Sequence, residues 1–97
     1  MVKLTLPAHL FALLPEEERA RRCAGRSVLV RPGAWPELIE ELRARFPLLE
    51  RRVLSGTAQL ASGFALVVND EVVRRTEPAL ELRGGDEIAI ITAIAGG

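Results

Sequence analysis

The sequence predicts an α/β chain of the α+β kind, with a mixed sheet packed against one principal helix and a flexible Gly-Gly tail at the C-terminus. Three observations carry this. Val2, Leu4 and Leu6 alternate with Lys3 and Thr5, the period of two that marks a strand with one buried face. Trp35, Leu38, Ile39, Leu42 and Phe46 recur at the spacing of a helical stripe. Ile88, Ile90, Thr92 and Ile94 share one face of a last strand whose other face carries Ala89, Ile91 and Ala93. A strand apolar on both faces fits the centre of a sheet covered on one side by the helix.

The elements follow in order. Pro7 ends the first strand, and the apolar run 8–14 (AHLFALL) forms a helical turn beside it, too short to stand alone. Glu16 to Arg22 are nearly all charged and read as surface; Gly25 permits a turn into a second strand, Ser27 to Val30, completing an initial hairpin with a long connection. The principal helix opens at Pro36, where a missing amide proton removes no hydrogen bond, and Pro47 closes it. On its polar side Glu41 and Arg45 stand four apart in the favourable order. Residues 55–63 (SGTAQLASG) read as a surface connection. Phe64 to Val68 form a strand, Asn69 and Asp70 a tight turn, and Val72 and Val73 return antiparallel. Leu80 and Leu82 precede a turn at Gly84-Gly85-Asp86 that feeds the last strand.

Ninety-seven residues, 48% of them hydrophobic, suffice for one core without metal or disulfide, so residues 1–97 are expected to form a single domain with a tail at 95–97. Thirteen basic and thirteen acidic residues cancel, which removes the general attraction that nucleic-acid and polybasic membrane binders use. The four aromatic residues, Phe11, Trp35, Phe46 and Phe64, are too scattered to serve as stacking platforms. Neither nucleic acid nor membrane is expected as a partner. Charge is uneven, however: residues 1–52 carry ten basic and seven acidic groups, residues 69–97 three and six. A partner is therefore expected to meet a hydrophobic surface of the sheet together with acidic residues near the tail, with Asp86 and Glu87 guiding a basic surface provided that the turn does not consume them. No signal-like segment and no apolar run of about 20 residues is present, so a cytoplasmic location is the expectation.

Few side chains suggest catalysis. Cys23 is the sole cysteine, which excludes paired-cysteine metal motifs and leaves only a lone thiol among arginines. His9 is the sole histidine and is read as structural. Asp70 and Glu71 sit at a turn, and Asp86 follows glycines that favour a turn in which its carboxylate accepts backbone hydrogen bonds. Gly84-Gly85 lacks the spacing and the lysine of a phosphate loop. Arg19, Arg21, Arg22 and Arg26 cluster on what reads as a solvated loop. No cofactor or metal site is expected on this chain.

Taken together, Val68-Asn69-Asp70-Glu71, Leu80 to Leu82, Gly85-Asp86-Glu87-Ile88 and the ending Ala95-Gly96-Gly97 resemble the ubiquitin-like β-grasp sulfur carriers. The small subunit of molybdopterin synthase and related thiocarboxylate carriers are the nearest likeness, and Leu6-Pro7-Ala8-His9-Leu10 looks like the opening of one subgroup. Thr92 and Ala93 stand where the family usually has proline. The resemblance implies a β-grasp fold and two site residues. Gly97 supplies the α-carboxylate that is adenylated and then thiocarboxylated, and Gly96 keeps the tail slim enough to enter an enclosed active site. It implies a ubiquitin-activating-like adenylating partner that uses ATP and magnesium, a sulfur donor, and an acceptor enzyme such as the large subunit of molybdopterin synthase. Sulfur delivery for cysteine or thiamine synthesis, and a protein modifier joined to lysine through Gly97, remain open beside it.

Overall fold

The computed structural model describes residues 1–20, 25–54, 60–61, 63–73 and 80–92. In chain order these give β1 (Val2–Thr5), α1 (Ala8–Phe11), α2 (Glu16–Ala20), β2 (Ser27–Val30), β3 (Gly33–Ala34), α3 (Trp35–Arg45), α4 (Pro47–Val53), β4 (Phe64–Val68), β5 (Glu71–Val73), β6 (Glu81–Leu82) and β7 (Glu87–Thr92). Five strands form a mixed sheet in the order β2-β1-β7-β4-β5, and β3 pairs with β6 in a second, two-stranded sheet. The last strand is central, as its two apolar faces predict: β7 runs parallel to β1 and antiparallel to β4.

Side-chain alternation divides the large sheet into two faces. Val2, Leu4, Val28, Val30, Leu66, Ile88 and Ile90 point inward and are buried. They join Trp35, Leu38, Ile39, Leu42 and Phe46 in one apolar cluster, so the stripe predicted for the principal helix is the core stripe. Helix α3 starts one residue before the predicted Pro36, at Trp35, whose amide donates to the Leu80 carbonyl at 2.8 Å. The Glu37 carboxylate reaches back to the Ala34 amide at 3.4 Å and helps to satisfy the first turn.

Two helices depart from the sequence reading. Pro47 does close α3, but it also opens α4, since a proline tolerated at a first helical position can follow the bend at Phe46 (φ −131°, ψ 64°) directly. Helix α4 buries Leu49 and Val53 and leaves Leu48 exposed. The acidic stretch read as surface contains α2, whose first turn carries Glu16, Glu17 and Glu18, the sign its N-terminal dipole favours. Arg45 holds it: the guanidinium bonds Glu18 at 3.0 Å, Glu41 on α3, and the Leu29 carbonyl at 3.0 Å, and lies 4.7 Å from the centre of the Phe46 ring. The pair predicted between Glu41 and Arg45 is thus one part of a junction joining α2, α3 and β2.

Candidate functional site

The chain reaches its C-terminal glycines through β7, so the candidate site is built on the two ends and the open face of that strand. Gly96 and Gly97 themselves, like Cys23, Arg21 and Arg22, lie outside the described residues. Thr92 is the last described residue and pairs with Phe64 on β4. Around it lies an open hollow of ≈ 420 Å³ whose lining includes His9 from α1, Arg52 from α4, Gly63 and Phe64. His9 and Arg52 are both exposed.

At the opposite end of β7 the family motifs form a clasp. Asn69 and Asp70 occupy the left-handed region (φ 48° and 70°), the paired conformation of a two-residue hairpin turn between β4 and β5. The Asn69 amide donates to the Glu87 carbonyl at 2.8 Å, and its side-chain oxygen accepts from the Glu87 amide at 2.9 Å. Its side-chain nitrogen donates to Asp86 Oδ1 at 3.1 Å, while Asp86 Oδ2 accepts from the Arg83 amide at 2.8 Å. The N-terminus is tied in as well: the Gly85 amide donates to the Met1 carbonyl and the Lys3 amide to the Asp86 carbonyl, each at 3.0 Å. The Asp86 carboxyl is held below its ordinary value, first by the Arg83 backbone amide and then by the Asn69 side chain. This pins β7 in register with β4 and β1.

The outward face of the sheet is left apolar. Register sets Val72, Val67, Ala89 and Thr5 in one row across β5, β4, β7 and β1, with Ala65 opposite Ile91 in the next. Val72 is 61% exposed and Ile91 40%. Val67, Ala65 and Ala89 are half-buried around them. The row at the clasp end is charged, with Lys3 and Glu87 3.4 Å apart.

The guidance of a basic partner is expected of Asp86 and Glu87 on condition that the turn leaves them free, and the turn takes up Asp86. Both carboxylate oxygens of Asp86 are engaged in the clasp, Glu87 faces Lys3, and the two stand at the end of β7 away from the tail. The acidic bias of the C-terminal segment is real in sequence, but strand direction carries it to the far end. His9, read as structural, is exposed beside Thr92. Arg52 was missed because it belongs to α4; a separation of 43 positions from His9 gives no sequence signal that the two flank one hollow. Arg19 and Arg26 line another hollow with α1, and Arg26 Nε donates to the Leu6 carbonyl at 3.4 Å. Among the described residues no group of histidine, cysteine, aspartate and glutamate is placed to hold a metal ion, and no helix is long and apolar enough to cross a membrane.

A five-stranded mixed sheet with a parallel β1–β7 pair at its centre, covered by one long helix and ending in the central strand, defines the ubiquitin-like β-grasp class. Within that class the chain belongs to the ThiS family of sulfur carriers, whose profile matches residues 17–97. Among solved structures it is similar to a chain of the BexX/CysO complex from Amycolatopsis orientalis, with 25% identity, a TM-score of 0.74 and 100% of each chain covered. It is also similar in fold to CysO from Mycobacterium tuberculosis, with 22% identity and a TM-score of 0.74 over 97% of this chain and 100% of that one. SAMP1 from Haloferax volcanii shares the fold at 22% identity and a TM-score of 0.67, with 99% and 98% covered. No curated protein sequence matches the chain.

Proposed function

We propose that this chain carries sulfur as a C-terminal thiocarboxylate, loaded on Gly97 after adenylation and delivered in the cytoplasm to an enzyme that builds a small molecule. The observation that carries the reading is that the match to the ThiS family runs through Gly96 and Gly97 to the last residue. The physical chemistry agrees. A carboxylate resists attack because a nucleophile must add charge to an anionic centre. When the Gly97 carboxylate attacks the α-phosphate of ATP, pyrophosphate leaves and an acyl-adenylate forms. Sulfide from a donor then forms a C–S bond as the C–O bond to AMP breaks, giving the thiocarboxylate and AMP. The adenylating partner supplies the nucleotide pocket and magnesium, which stabilise the departing phosphates. This chain supplies the carboxyl terminus, a narrow Gly-Gly end that fits an enclosed site, and the apolar face of Val72 and Ile91 for docking.

The acceptor we propose is a pterin precursor held by the large subunit of molybdopterin synthase. Delivery to an activated precursor of cysteine is the second reading. It is favoured by the Leu6-Pro7-Ala8-His9-Leu10 opening, which passes from the end of β1 into α1 beside Thr92. Incubating the full chain with ATP, an adenylating partner and labelled sulfide, followed by intact-mass and C-terminal peptide analysis, tests the assignment. The expected product carries labelled sulfur in place of one Gly97 oxygen, and the chain lacking Gly97 is not productively loaded, because its carboxylate sits about 3.5 Å short of the reacting position. An isopeptide-linked product formed without sulfur exchange assigns the chain to protein conjugation instead. Presenting the loaded chain to purified candidate acceptors separates the pterin from the amino-acid route.

A further inference from the structure

Both signs of charge meet at the clasp end of β7, where Asp70, Glu71, Asp86 and Glu87 stand with Lys3, 3.4 Å from Glu87, and with Arg83. At the other end, about 17 Å away at the usual rise per residue, His9 and Arg52 flank Thr92. Arg26 stands at the same end, since the Leu6 amide, one residue beyond the Thr5–Ala89 pair, bonds the Arg26 carbonyl at 3.0 Å, and it lines a neighbouring hollow together with Glu16. No acidic side chain among the described residues lines the hollow at Thr92.

We propose that the Arg52 guanidinium, with the His9 imidazole beside it as a hydrogen-bonding group, forms a recognition rim at the root of the tail, which meets aspartates or glutamates around the mouth of the channel in the protein that receives Gly97. The inference rests on the reading of Gly97 as the reacting end, and it adds which charges the receiving protein must present. Gly97 lies five residue steps beyond Thr92, a reach of at most about 18 Å when fully extended. A site that closes around Gly96 and Gly97 therefore brings its mouth up to the residues surrounding Thr92. A mouth lined with lysine or arginine would set like charges together as water is squeezed out, whereas carboxylates gain partners there. Arg52 at the root of the tail thus favours a tail-first encounter with an acidic mouth, which raises the rate of productive association. The apolar face of Val72 and Ile91 supplies contact area but cannot tell one end of the strand from the other.

The test compares Arg52→Glu with Arg83→Glu, which makes the same change of net charge at the clasp end, each in the full chain. Thermal melting by circular dichroism establishes that both fold, with Arg52→Gln as a milder variant should the reversal disturb α4. Complex formation with the adenylating enzyme is measured by titration calorimetry at low and high salt, and pyrophosphate exchange is followed in parallel. Arg52→Glu is expected to raise Kd and the KM for the carrier about tenfold at low salt, with kcat unchanged and the gap narrowing as salt screens it; Arg83→Glu is expected to stay within about twofold of the parent. Equal Kd values for the parent and folded Arg52→Glu overturn the rim, as does an equal loss from Arg83→Glu, which would make net charge the cause. If the parent binds but never supports exchange, the assignment of Gly97 fails, while the Kd comparison still decides the rim.

Discussion

Replacing Val72 and Ile91 together by threonine removes the exposed apolar surface of the sheet without asking much of the fold. Both side chains point away from the core, and threonine keeps the β-branched shape that strands favour. Fully burying a valine or isoleucine side chain contributes about 1.5–3 kcal/mol. Val72 is 61% exposed and Ile91 40%, so covering what remains of the two is worth about 1.5–3 kcal/mol in a complex. Threonine forfeits most of this, and a loss of about 2 kcal/mol corresponds to roughly a 30-fold rise in Kd. Titration calorimetry of the double variant against the adenylating partner measures it, with urea unfolding in parallel, where a change within about 0.5 kcal/mol is expected for surface positions. A folded variant that binds within about threefold of the parent refutes the reasoning, because the outer sheet face would then lie outside the interface.

The clasp gives two further expectations. Asn69→Ala should destabilise more than Asn69→Gly, by about 1 kcal/mol or more in urea unfolding, because both lose the bond to the Glu87 amide but only alanine is strained at φ 48°; equal losses would show that the left-handed backbone is not part of the effect. The lowered Asp86 carboxyl stabilises the fold at pH values above its ordinary value of 3.8, and that contribution is lost as pH falls through the still lower folded-state value. Melting temperature followed between pH 6 and pH 2 should therefore fall more steeply at the acid end for the parent than for Asp86→Asn, and parallel curves would remove Asp86 from the acid response.

Much of this fold is legible in the sequence because single-period signals reach the core directly. The alternation at Val2, Leu4 and Leu6, the stripe from Trp35 to Phe46 and the doubly apolar run from Ile88 to Ile91 each name an element and its buried face, while Ala93 and Ile94 lie outside the described residues. The Asn69-Asp70 turn is equally plain, since few residues accept its backbone. What escaped depends on tertiary neighbours. Helix α2 has no buried residue and is tethered through Glu18 to Arg45, 27 positions away. Helix α4 begins at a proline that reads as a stop for the helix before it. Missing α4 meant missing Arg52, and with it the rim at Thr92. The charge census is of another kind: it counts the acidic residues of the C-terminal segment, but Asp86 and Glu87 stand at the start of the six-residue β7 and Thr92 at its end.

The motifs that make the family recognisable consequently perform a different task from the ending they accompany. Asn69, Gly85 and Asp86 touch one another or the backbone of β7 and the N-terminal strand, at the end of the sheet away from Thr92. Their chemistry is that of register. A strand slipped by one residue would turn Ile88 and Ile90 to solvent and Ala89 and Ile91 to the core, and it would also shift the point from which the last residues depart. By bonding both backbone groups of Glu87 through Asn69 and closing the preceding turn through Asp86, the clasp sets where β7 begins, and a strand of fixed length then sets where Thr92 stands relative to His9, Arg52 and the apolar face. A carrier that reacts through its carboxyl terminus must present it at a reproducible distance from the surfaces that partners grip. The bonds that secure that distance are made at the opposite end of the strand, where they leave the tail root open to the partner.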